Sequence, residues 1–191
     1  MITIKNNKLI DYGHRGMTLE YDLNLTNDYY LEKDLALIYK KPTPIKVLKV
    51  NDTKTRIKDG FYEQKSTLDY SGVYLGKYIE FDAKETNSKT SFPISNIHTH
   101  QITHIKNVLK HKGIAFLIIR FNYHNQTFFL EGNKLLEFIN NNERKSIPYE
   151  YFINNCQIIP IKYRPRLPHP QAKIRLCKDL SRQPQGNTFR D

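Results

Sequence analysis

TLDYSGVYLGKYIEFDAKET, residues Thr67–Thr86, is the stretch on which the reading of the chain turns. Gly72–Lys84 reads as two short strands folded back at Leu75–Lys77. Asp69 sits just before the Ser-Gly pair that opens them. On the second strand Glu80, Asp82 and Lys84 fall two apart, so they share one face, while Ile79, Phe81 and Ala83 share the other. Two carboxylates beside an ammonium suit either of two environments. One is the solvated face of a half-exposed antiparallel strand. The other is a site for a hard cation such as Mg²⁺, which takes carboxylate oxygens and keeps several waters. There the lysine would meet charge developing on a phosphate.

Outward from this stretch the charge is unevenly placed. The 191 residues carry a net charge of +11. Lys40–Lys65 holds eight Lys or Arg against three acids and Lys162–Asp191 holds eight against two, so these segments account for the whole excess. Concentrated cations grip a polyanion by neutralising phosphates and releasing counterions. Within the first segment, Pro42 and Pro44 break the chain, and Ile45–Val50 and Ile57–Gln64 read as two extended arms joined around Asn51–Thr53. Lys46, Lys49, Lys54, Arg56 and Lys58 decorate them. Such a hairpin is either a nucleic-acid grip or a basic edge whose lysines discourage aggregation.

Upstream, residues 1–16 read as a polar arm. A helix is expected from about Met17, with Leu19, Leu23, Thr26 and Tyr30 as its core stripe. Glu20 in its first turn suits the helix dipole. Leu35–Tyr39 reads as a first, buried strand. Downstream, Asn87–Ser95 is a loop carrying Lys89, Thr90 and Ser91. A second helix covers about Asn96–Lys112, with Ile97, Ile102, Ile105, Val108 and Leu109 inward. Gln101 lies on or beside that inward face, where a buried amide needs partners. His100 and His104 are one turn apart, but the Glu of H-E-x-x-H and a third ligand are missing, which argues against zinc. These histidines are expected to face solvent. The apolar run Ile114–Phe121 predicts a central strand covered on both faces, paired with Thr127–Leu130. Lys134–Asn140 and Tyr149–Asn154 read as short helices and Ile158–Ile161 as a last strand. After Tyr163 arginine outnumbers lysine, the reverse of what precedes it, and residues 166–191 are expected to be a basic, disordered tail.

The longest apolar run, Ile114–Ile119, is too short to span a membrane, and the first sixteen residues lack the apolar core of a signal peptide. Cys156 and Cys177 stand apart with no C-x-x-C pair. A cytoplasmic protein with reduced thiols and no membrane partner is expected.

RGMTLE at Arg15–Glu20, YLEK at Tyr30–Lys33, KKPTPI at Lys40–Ile45, the central stretch, KTSFP at Lys89–Pro93, the Gln101 helix and RKSIP at Arg144–Pro148 follow one another between about Arg15 and Pro165. Together they resemble the RecU-type Holliday junction resolvases, which belong to the PD-(D/E)xK, restriction-endonuclease-like nucleases. The resemblance implies an α/β fold: a restriction-endonuclease-like mixed central sheet flanked by helices, spanning 17–165. The basic hairpin at about 45–65 would then be a projecting stalk that enters the centre of a four-way DNA junction. The resemblance implies Mg²⁺, with Mn²⁺ able to substitute, on Thr67, Asp69, Asp82 and Gln101. It makes Lys84, Asp69 and Asp82 catalytic, with hydrolysis leaving 5′-phosphate ends. Arg15, Lys89, Thr90 and Ser91 join Lys46, Lys49, Lys54, Arg56 and Lys58 as DNA contacts, and Glu20 and Glu80 are candidate helpers. The family usually has Glu where this chain has Asp82, and Asp where it has Glu80. A junction has two-fold symmetry, so a homodimer with one site per subunit is implied, working with recombination proteins in recombination and repair. The alternatives are a restriction- or repair-type Mg²⁺-dependent nuclease acting on linear or branched duplex, and a non-catalytic junction-binding modulator.

Overall fold

The run Ile114–Phe121 forms strand β7, and seven of its eight residues are buried. A strand apolar on both faces must be covered on both, and the layers of the molecule follow from that. The structure, a computed structural model, describes residues 19–51, 53, 56–62 and 67–161. The polar arm, the basic tail, Arg15 and Lys54 lie outside the described residues.

Strand β5 (Lys77–Thr86) runs parallel to β7, in register from Ile79 opposite Ile114 to Thr86 opposite Phe121. Strand β8 (Gln126–Glu131) lies antiparallel on the other side. Strand β4 (Tyr70–Tyr74) folds back on β5 through Leu75 and Gly76, whose φ angles of 48° and 72° suit a tight hairpin turn. Strands β1 (Leu37–Lys40) and β10 (Gln157–Ile159) close the edges, giving the order β1-β4-β5-β7-β8-β10. This is the mixed central sheet the resemblance implies.

The segment expected to be a buried strand is this edge strand β1. Ala36 and Ile38 point inward, while Leu37 and Tyr39 are 51% and 53% exposed. An edge strand covered on one face keeps only alternate residues from water. At Gly72 of β4 the edge strand presses close: a Cβ there would sit 2.0 Å from the Leu37 carbonyl oxygen.

Helix α1 (Leu19–Glu32) covers one face of the sheet, burying Leu19, Leu23, Thr26 and Tyr30, the stripe expected of it. Under it, Tyr70, Phe81, Phe116 and Phe129 stack across β4, β5, β7 and β8 with successive ring centroids 4.6–4.8 Å apart. Helices α2 (Thr99–Lys110), α3 (Gly132–Asn141) and α4 (Tyr149–Asn155) supply the other layer. Helix α2 starts later than Asn96 because Ile94–Asn96 forms a 3-10 turn and Ile97 is extended. Short strands β6 (Ser91–Pro93) and β9 (Ser146–Pro148) pair with each other. Among the described residues no helix is long and apolar enough to cross a membrane.

The two basic arms form a sheet of their own, β2 (Ile45–Val50) with β3 (Ile57–Tyr62), antiparallel from Ile45 opposite Tyr62 and irregular around Lys49. Every residue of β2 is exposed, so this hairpin stands outside the core.

One polar group is buried beneath α1. The Arg120 guanidinium on β7 meets Asp22 Oδ2 at 2.5 Å and donates to Thr127 Oγ1 at 3.2 Å. On the neighbouring strand Glu85 accepts the Leu19 N–H at 3.3 Å, satisfying a donor that a helix start leaves free. Arg120→Met would leave the Asp22 carboxylate buried without its ion partner. The expected cost is about 3–5 kcal/mol, read as a lower urea midpoint at unchanged slope. An unmoved midpoint would show that the pair does not tie α1 to the sheet.

Candidate active site

Alternation along β5 turns Glu80, Asp82 and Lys84 toward the layer that α2 covers. Glu80 and Asp82 are 1% and 0% exposed, which excludes the solvated strand face. A buried carboxylate needs hydrogen-bond or ionic partners, and these two find them differently.

Asp82 Oδ1 accepts the Ala83 N–H at 2.8 Å. Its Oδ2 accepts Gln101 Nε2 at 2.6 Å and lies 2.8 Å from Lys84 Nζ. Asp69, half-buried just ahead of β4, is close enough to Asp82 for the two carboxyls to act on each other electrostatically. Burial pushes the Asp69 carboxyl above its ordinary range, and the nearby Asp82 carboxylate pushes it further, against Lys84 and Lys40. Two neighbouring carboxylates with one close ammonium are under-neutralised when both are ionised. Both offer hard oxygen ligands, so the pair fits a hard divalent cation that keeps its remaining waters. Among the described residues no three His, Cys, Asp or Glu side chains converge as a full protein cage.

Glu80 is satisfied. Its Oε1 takes the Lys41 ammonium and the Thr67 hydroxyl, the latter at 3.1 Å. Its Oε2 accepts the Tyr78 hydroxyl at 2.8 Å and lies 2.7 Å from His104 Nε2. Burial works against the charged form, but hydrogen bonds from Lys41, His104 and Tyr78 outweigh it and hold the carboxyl below its ordinary range. Glu80 is therefore an anchor that gathers side chains from four segments.

The expected site residues divide accordingly. Asp69, Asp82, Lys84 and Gln101 come together. Thr67 joins the Glu80 group instead, bonded to Glu80 and Lys41. Gln101 uses both ends of its amide, donating to Asp82 and accepting the His98 N–H at 3.1 Å, so it orients Asp82 while closing the start of α2. Glu20 stands apart on the exposed side of α1, 2.5 Å from Lys40 Nζ. Lys46, Lys49, Arg56 and Lys58 are exposed on the hairpin.

The loop after β5 is held in place. Ser88 Oγ accepts the Thr90 and Ser91 N–H groups at 3.4 and 3.2 Å, and the Thr90 carbonyl accepts the Tyr149 N–H at 2.8 Å. Lys89 keeps its ammonium over the Tyr123 ring, 4.3 Å from the centroid.

Sequence reasoning missed Lys41, Tyr78 and His104. His104 was expected to face solvent, yet it reaches inward to Glu80. Its position one helical turn beyond Gln101 was the available signal.

The family model described as recombination protein U matches residues 14–173. The Holliday junction resolvase RecU of Oceanobacillus iheyensis is 45% identical over 171 residues, covering 86% of this chain and 87% of that protein. That of Geobacillus kaustophilus is 47% identical over 163 residues, covering 82% of each. That of Lactococcus lactis subsp. cremoris is 43% identical over 178 residues, covering 91% of this chain and 84% of that protein. Among solved structures, Archaeoglobus fulgidus Hjc, a Holliday junction resolvase, aligns with a TM-score of 0.38 at 8% identity, over 69% of this chain and 92% of that one.

The raised Asp69 carboxyl makes a stability prediction with a definite sign. A carboxyl that ionises less readily folded than unfolded destabilises the fold above its folded-state pKa. Asp69→Asn should therefore raise Tm at neutral pH in the presence of EDTA. The gain should shrink as pH falls from the raised value toward the ordinary aspartate range, where both states hold the proton. Thermal unfolding of both proteins across that range checks it; a lower Tm for Asp69→Asn at neutral pH would contradict it.

Proposed function

The chain belongs to the RecU family, and we propose that it resolves four-way DNA junctions as a divalent-metal-dependent endonuclease. The observation that carries this is the buried Asp82 carboxylate, held by Gln101 at 2.6 Å with Lys84 Nζ at 2.8 Å, next to the half-buried Asp69 carboxyl whose charge it opposes. Asp69 and Asp82 would hold the cation, Mg²⁺ with Mn²⁺ as a substitute. When bound, such an ion supplies a Lewis acid for a phosphoryl oxygen and acidifies a water.

The side chains do the rest. Lys84 offers an ammonium to the negative charge that builds on the phosphate during in-line attack. Gln101 and the Ala83 N–H hold the Asp82 carboxylate in one orientation, so its direction does not change as charge develops. The Glu80 group fixes Thr67 and Lys41 beside it. Lys89, Thr90 and Ser91 face the strand beyond the cut, on a loop whose backbone is already bonded. Cleavage leaves 5′-phosphate and 3′-hydroxyl ends.

A four-way junction has two-fold symmetry and needs paired nicks, which a C2 homodimer with one site per subunit provides. The hairpin is the element suited to reading a junction. Each strand has six residues, so it projects about 20 Å at ~3.3 Å per residue, comparable to a duplex width. At the junction centre its cations would face several backbones at once. The setting is recombination and repair in the cytoplasm, alongside recombination proteins.

The testing experiment is Mg²⁺-dependent cleavage of a synthetic four-way junction beside a linear duplex of the same sequence. Symmetric nicking of the junction alone is expected, and equal cutting of the duplex would favour a general nuclease. In that assay Lys84→Ala should lower the rate by about 10²–10³ with binding retained. Full rescue by added Mg²⁺ would instead make Lys84 an organiser of the metal. Replacing Val47–Phe61 with a short Gly-Ser turn should weaken junction binding far more than duplex binding. The salt dependence should become shallower by ~0.9 per lost phosphate contact. A stalkless protein that still preferred junctions at unchanged affinity would move recognition elsewhere.

A further inference from the structure

A groove of about 520 Å³ opens between the β4–β5 turn and the C-terminal end of α2. Lys77 and Tyr78 line it from β5, His104 and Asn107 from α2, and His111 and Lys112 from just beyond the helix. None of the described residues lining it is Asp or Glu. No acid among the described residues pairs with Lys77 or Lys112.

Cations at a helix C-terminus complement the helix dipole, and that alone would account for His111 and Lys110. It does not account for Lys77, which reaches the same concavity from another element. Nor does it account for Lys112, whose φ of 64° puts a side chain where the end of a helix usually has glycine. The groove is also continuous with the site. His104 and Tyr78 line it on one side and bond Glu80 Oε2 on the other, at 2.7 and 2.8 Å. Tyr78, Glu80, Asp82 and Lys84 all lie on the same face of β5. Tyr78 is four residues from Asp82, about 13 Å along the strand at ~3.3 Å per residue. That spans roughly four phosphates at the ~3.4 Å axial spacing of one DNA strand.

We propose that this groove is a phosphate track: it holds the backbone of the DNA arm on one side of the cut, about four phosphates from the scissile one. Lys77 and Lys112 neutralise the phosphates, and Asn107, His111 and the outer edge of His104 offer hydrogen bonds. The choice of DNA as occupant rests on the nuclease reading; the basic, acid-free lining does not.

The test is a scan of single methylphosphonate linkages, which are neutral, across a four-way junction. Binding is measured for the wild type and for a Lys77→Gln, His111→Gln, Lys112→Gly variant. Lys112→Gly removes the cation and relieves the backbone, so folding is preserved, and Lys77→Arg serves as the charge-keeping control. A neutral linkage over the groove should weaken the wild type and the Lys77→Arg protein about tenfold, the scale of one charge-assisted hydrogen bond. It should leave the triple variant unaffected. The triple variant should also lose about two from its salt slope, at ~0.9 per contact. If every neutral linkage affects both proteins alike, the groove carries no phosphate and the proposal fails, whatever the cleavage assay shows. If the linkage effect is present but the wild type cuts no junction, the groove stands and the nuclease reading falls.

Discussion

Asp69, just ahead of β4, faces Asp82 in the middle of β5, and Lys84 is the ammonium beside them. Like charges brought this close raise a carboxyl pKa or wait for a cation, and a fold under selection for stability alone would have little use for the pair. It persists because the surrounding structure over-determines it. Asp82 is held by its strand, by the Ala83 N–H and by Gln101 from α2, and Asp69 by the β4–β5 hairpin.

Seen from this pair, the architecture has a simple division of labour. One face of β5 packs Ile79 and Phe81 into the core under α1, with Glu85 accepting the first N–H of that helix; the other carries Glu80 and Asp82. The parallel pairing of β5 with β7 along its length keeps that polar face in the middle of a six-stranded sheet, so Glu80 and Asp82 are shut off from water while Asp69 and Lys84 stay partly exposed. Glu80, two residues earlier, is the balanced counterpart. It is equally buried but surrounded by donors, so its charge is spent on holding Lys41, Thr67, Tyr78 and His104 in place.

Much of this was legible in the sequence because its signals are local. Alternation along Lys77–Thr86 placed three charged residues on one face, the Leu75–Gly76 turn set the hairpin, and the run Ile114–Phe121 marked the central strand. The exposed arms of the stalk kept their expected limits at Ile45, Val50 and Ile57. What failed was information carried between distant segments. Edge and centre differ by what lies alongside, so Leu35–Tyr39 read as buried when only Ala36 and Ile38 are. Burial of Glu80 depends on Lys41 and His104, separated from it by 39 and 24 residues, and no periodicity reports such a meeting. The same holds for Thr67, whose spacing from Asp69 gives no hint that its hydroxyl turns to Glu80.

The central claim is that the Asp69–Asp82 pair is built for a divalent cation, and direct binding tests it without reference to cleavage. Mn²⁺ titration followed by electron paramagnetic resonance should show one high-affinity ion or more per wild-type chain, competed away by Mg²⁺. With Asp82→Asn that binding should disappear, while Glu80→Gln should retain an ion. Unchanged Mn²⁺ affinity and stoichiometry in Asp82→Asn would contradict the account.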